Sequence, residues 1–153
     1  MSLVEITRQR QRLDDLFQKA KNLPDPEIQS HWSRYLCVLV SGFLENSVRL
    51  TYTEYARSRA DVSVADFVEN RLRQFQNPKM GTIVELAGGF SQEWRKRLES
   101  DTKGRLGESV NSIVDNRHKI AHGESVGLSL QTLSQYYGDA LKVVDLLRRQ
   151  CGL

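Results

Sequence analysis

Helical spacing runs almost unbroken through this chain of 153 residues, and that excludes most folds. Only three prolines occur, at positions 24, 26 and 78. No segment shows the two-residue alternation of a half-buried strand. A first helix is expected over residues 3–22, with Ile6, Leu13, Leu16, Phe17 and Ala20 on one side. Leu23-Pro24-Asp25-Pro26 then breaks it, Asp25 being suited to cap the next helix with Pro26 at its first position.

That second helix, over residues 26–57, is the longest. Trp32, Leu36, Leu39 and Phe43 form one stripe; Cys37, Val40, Leu44 and Val48 form an adjoining one. A helix apolar over so much of its circumference is the central member of a bundle. Val64, Phe67, Val68, Leu72 and Phe75 recur at three- and four-residue steps and predict a helix over 63–75, ended by Asn77-Pro78. Between 79 and 104 the pattern is weaker. Ile83, Val84 and Leu86 suggest a short helix stopped by Gly88-Gly89, and Ser91 suits the cap of another carrying Trp94 and Leu98. Helices over 106–121, with Gly123 closing it, and over 130–150 complete the chain. The expectation is a single all-α domain over 1–153: a bundle of about four main helices with extra short ones.

Composition narrows the setting. Apolar residues make up 39% and charged residues 27%, values of an ordinary globular protein. No apolar run approaches the roughly 18–20 residues that cross a bilayer. The N-terminal run lacks a charged-then-apolar leader pattern, so a cytoplasmic protein with no membrane partner is expected. The two cysteines, Cys37 and Cys151, have no metal spacing, and a reducing compartment is the simpler setting. Three histidines without ligand spacing give neither a metal site nor a cofactor site. A net charge of +3 does not announce nucleic-acid binding by itself.

The chemistry concentrates at Asp115-Asn116-Arg117-His118-Lys119-Ile120-Ala121-His122-Gly123. Leu106, Val110, Ile113 and Ile120 define the core-facing stripe of that helix, and Arg117 falls on it. Burying a guanidinium alone is costly, so Arg117 needs a carboxylate, a subunit interface or a phosphate. On an unbroken helix Arg117 and His122 would point about 140° apart. They converge only if the helix ends near Ala121 or if two copies meet.

The run from Arg117 to Gly123 resembles the signature of HEPN domains: an arginine, a polar residue, three more residues, then a histidine. The Ile-Ala-His-Gly ending is typical of many members. Residues 35–55, with Gly42-Phe43-Leu44-Glu45, then residues 67–75 and Asn77-Pro78-Lys79, are similar to the subgroup called RiboL-PSP-HEPN. The resemblance covers most of the chain after about residue 25.

It implies a metal-independent endoribonuclease that acts as a homodimer, of the toxin or defence type, with RNA as substrate and an antitoxin as a further partner. His122 would transfer protons and Arg117 would stabilise the phosphate. His118 occupies the polar position of the motif and would support the site. Glu45, with Arg49 one turn later, resembles an element that holds the motif arginine in other members. The alternative is an ordinary exposed ion pair. Lys79 and Lys119 are the candidate RNA contacts. A non-catalytic RNA- or nucleotide-binding or protein-interaction module is the competing reading.

Overall fold

The computed structural model describes residues 3–153, and every regular element in them is a helix. In order these are α1 (Val4–Lys21), α2 (Pro26–Arg59), α3 (Val62–Leu72), α4 (Met80–Phe90), α5 (Gln92–Thr102), α6 (Arg105–Ala121) and α7 (Leu130–Gln150). The all-α class expected from the periodicity is the class observed. Four helices of 18, 34, 17 and 21 residues are joined by three of 11. Met1 and Ser2, the first residues of the N-terminal run that lacks a leader pattern, lie outside the described residues.

Helix α2 starts as its sequence dictates: Asp25 accepts a hydrogen bond from the Glu27 amide at 2.9 Å, with Pro26 in the first turn. At 34 residues it is about 50 Å long, and α1, α3, α6 and α7 all pack against it. Leu36, Val40, Leu44 and Val48 are fully buried there, meeting a core that includes Val110 and Ile113 of α6 and Leu133, Val143 and Leu147 of α7. Each such side chain contributes about 1.5–3 kcal/mol of transfer free energy. Tyr137 closes the α1 side: its ring stacks on Phe17 at 4.9 Å, and its hydroxyl donates to Asp14 Oδ1 at 2.7 Å. Asp139, 1% exposed, ties α7 to α6 by accepting from Ser109 Oγ at 2.6 Å and Arg105 Nε at 3.1 Å.

Three expectations are corrected. The third helix stops at Leu72 rather than running to 75, and it exposes Val64 and Phe67 at 51% and 59%. Its buried residues are Ala65 and Leu72, a stripe rotated from the one the large apolar side chains suggest. In that orientation Arg57 of α2 pairs with both Asp66 and Glu69. Second, Gly88-Gly89 does not stop α4, which continues to Phe90. A Cβ on Gly88 would lie 2.9 Å from Arg95 Cδ, so the glycine serves the close approach of α5. Ser91 then ends α4 and caps α5, accepting from the Trp94 amide at 3.2 Å. Third, α2 runs on to Arg59 rather than ending at 57; Cys151 is buried at the end of α7, and both cysteines are free.

Candidate functional site

Helix α6 presents the Arg117–His122 motif at its C-terminal end. Arg117 is partly exposed and, among the described residues, makes no hydrogen bond or ion pair. It follows the fully buried Ile113 by one turn and precedes Ile120, which packs against the core.

The helix ends in a Schellman arrangement. The Gly123 amide donates to the Ile120 carbonyl at 3.1 Å, and the Glu124 amide donates to the Lys119 carbonyl at 2.9 Å. Gly123 has φ +74, a conformation that a residue with a Cβ adopts only at a cost. His122 itself keeps near-helical dihedrals, φ −90 and ψ 10. The helix thus ends where expected, but its cap does not swing His122 toward Arg117. The His122 ring instead faces His118, one turn back, with ring centroids 4.4 Å apart. Both histidines are exposed. Their four-residue spacing on one helix is the sequence signal for this contact, one that counting the three histidines for ligand spacing does not capture.

Glu45 does not hold Arg117. Its carboxylate pairs with Arg49 at 3.1 Å and accepts from the Asn77 amide at 2.7 Å. Arg49 in turn donates to the carbonyls of Phe75 at 2.8 Å and Arg73 at 3.1 Å. The pair pins the α3–α4 connection to α2, where Asn77 takes a left-handed φ of 46. From the other side Asn111 Oδ1 accepts from the Met80 amide at 2.8 Å, and Lys79 pairs with Asp115 at 2.8 Å. The connection is thereby strapped across α2 and α6. Lys79 stands one helical turn or less from the start of the motif, with its charge matched by Asp115. Lys119 is exposed in the last turn of α6.

Beside the motif an open hollow is lined by Arg34, Tyr35 and Val38 of α2 and by Ile120, Gly123, Glu124 and Ser125. Tyr35 and Val38 are 48% and 38% exposed, unusual for large apolar residues on a central helix. Gly42 continues their stripe along α2, exposed and with open space around it. Among the described residues no group of three or more His, Cys, Asp or Glu side chains could hold a metal ion, and no helix is long and apolar enough to cross a membrane.

An all-helical bundle with this arginine–histidine motif at the end of its penultimate helix defines a HEPN module. The RiboL-PSP-HEPN family model matches residues 4–152, nearly the whole chain, and the chain belongs to that family. No curated protein and no solved structure matches it.

Proposed function

We propose that the protein is a metal-independent endoribonuclease that works in the cytosol as a homodimer, with Arg117 and His122 as its catalytic residues. The observation that carries this reading is Arg117, a partly buried guanidinium on the core-facing stripe of α6 with no partner among the described residues. A free, partly sheltered guanidinium at a helix end suits a phosphate, whose geometry it matches.

The chemistry follows from RNA. Its 2′-hydroxyl attacks the adjacent phosphorus while a histidine nitrogen takes the hydroxyl proton. The bond from phosphorus to the 5′ oxygen breaks, and a second protonated histidine donates a proton to that leaving oxygen. The products are a 2′,3′-cyclic phosphate and a free 5′-hydroxyl. Histidine suits both transfers because its ordinary pKa of about 6.5 lies near neutrality. Arg117 stabilises the charge that builds on the phosphate oxygens. One chain supplies one His122, on a different side of α6 from Arg117. Two copies supply the second histidine and bring the two sides together. The exposed stripe of Tyr35, Val38 and Gly42 beside the motif supports a helix-to-helix contact of that kind. His118 would support His122 by ring contact, and Lys119 and Lys79 are the residues proposed to meet the RNA backbone. As a toxin or defence effector the enzyme would be held in check by an antitoxin.

The test is cleavage of end-labelled mixed-sequence RNA in excess EDTA, with product ends analysed. Cyclic phosphate ends are expected from the wild type. His122→Ala should lower the rate by about 10²–10⁴-fold, and Arg117→Ala by about 10²–10³-fold. Cleavage at full rate by His122→Ala would refute the assignment. The separation of Arg117 from His122 within one chain favours one other reading, a non-catalytic binding module. A folded wild type that binds RNA but leaves it intact would establish that instead.

A further inference from the structure

We infer that His118 and His122 form a two-histidine chelate for a borderline divalent transition metal, Zn2+ foremost, and that the bound ion inhibits the site. The inhibition rests on the nuclease reading above; the chelate does not.

The two imidazoles are four residues apart on one helix, with ring centroids 4.4 Å apart and ring planes tilted by 59°. Both are exposed, and neither ring makes a hydrogen bond or ion pair among the described residues. Zinc binds imidazole nitrogen at about 2.0–2.1 Å, so two nitrogens on one tetrahedral ion lie about 3.3 Å apart. Ring nitrogens lie on the periphery, and rings at this spacing reach that separation by side-chain rotation alone. The helix already holds both backbones in register, so only the side-chain rotations of two residues remain to be ordered on binding.

The position also favours a cation. The pair stands at the carbonyl end of α6, where the helix dipole attracts positive charge. Lys119 and Arg117 on the same turns oppose it, though Lys119 is exposed and screened by solvent. No third side chain completes the shell. The remaining positions fall to water, which makes this an open and reversible site rather than a structural one.

The consequence for catalysis is direct. A metal bound to His122 occupies the nitrogen lone pair that would accept the 2′-hydroxyl proton. Zinc therefore suppresses cleavage, and a chelator restores it.

The test uses untagged full-length protein and zinc chloride, followed by titration calorimetry. One ion per chain is expected. Affinity should fall by at least about tenfold in His118→Ala and in His122→Ala, since losing a ligand costs no less than losing its outer partner does. His31→Ala should bind as the wild type does, because His31 is engaged with Arg34 at 2.6 Å. Circular dichroism checks that each variant is folded. In parallel cleavage assays zinc should inhibit the wild type, whereas the residual activity of His118→Ala should be zinc-insensitive. Absence of binding at micromolar zinc, or binding that survives in His118→Ala or falls equally in His31→Ala, would overturn the chelate. Binding as expected without any RNA cleavage would leave the chelate standing and refute the nuclease instead.

Discussion

Arg117 falls on the apolar stripe of its helix and Glu45 follows Phe43-Leu44 in the sequence, yet they play opposite parts. Glu45 is spent on structure, gripping Arg49 and the Asn77 amide. Glu45→Ala should therefore cost about 1–2 kcal/mol in urea unfolding and speed hydrogen exchange at the Asn77 amide. Arg117 has no partner among the described residues, so Arg117→Ala should change monomer stability by less than about 0.5 kcal/mol while lowering the proposed cleavage by about 10²–10³-fold. A large loss of stability there would point to a structural role. That Arg117 is anomalous was legible from the helical stripe on which it falls. The partner of Glu45 was not, because it is a backbone amide in a loop whose path no periodicity encodes. The cysteines make a separate prediction. Burial pushes both Cys37 and Cys151 from an ordinary value near 9 up to about 11. Between those values the unfolded chain ionises first, so their contribution to stability is complete below pH 9 and is lost as pH rises through 11. Burial shifts Tyr52 and Tyr137 upward too, in the same sense. The melting temperature should decline over this alkaline range, and less steeply once both cysteines are replaced by alanine.

At the scale of the element, most helices announce themselves and their facing does not always follow. The proline at position 26, the Asp25 cap and the Ser91 cap appear where the sequence places them. Helix α3 shows the limit. Its largest apolar residues repeat at helical spacing, yet Phe67 faces outward and Ala65 inward, with Arg57 of α2 paired to Asp66 and Glu69 alongside. Local pattern cannot weigh an ion pair contributed by another helix. Gly88-Gly89 misleads for a related reason, because a glycine demanded by a neighbour's approach looks like one demanded by a turn. Gly123 is read correctly, since a left-handed residue after the last helical turn is a local requirement. Gly123→Ala should cost about 1 kcal/mol and lower cleavage more than it lowers stability, because His122 stands directly before it. Parallel denaturation and cleavage assays would separate the two effects.

For the whole molecule, α2 is the axis on which everything else is hung. Ile113→Ala, which empties a fully buried position opposite that axis, should cost about 2–5 kcal/mol in denaturant unfolding. The exposed stripe on the other side of α2 makes a distinct prediction. Val38→Glu should leave the fold intact by circular dichroism, shift the protein from dimer to monomer in light scattering, and remove cleavage. A dimer that persists in Val38→Glu would place the contact elsewhere. The site itself straddles two regimes of motion. Arg117 is anchored a full turn inside α6, whereas His122 is the cap residue at which the chain leaves that helix. Helix ends open and reclose within microseconds, far faster than enzymes commonly turn over, so in the proposed nuclease His122 would sample its place many times in each reaction cycle. Two amide hydrogen bonds, from Gly123 and Glu124, set the fraction of time it spends there. Warming opens that cap before it melts the bundle, so cleavage should be fastest at a temperature short of the melting transition.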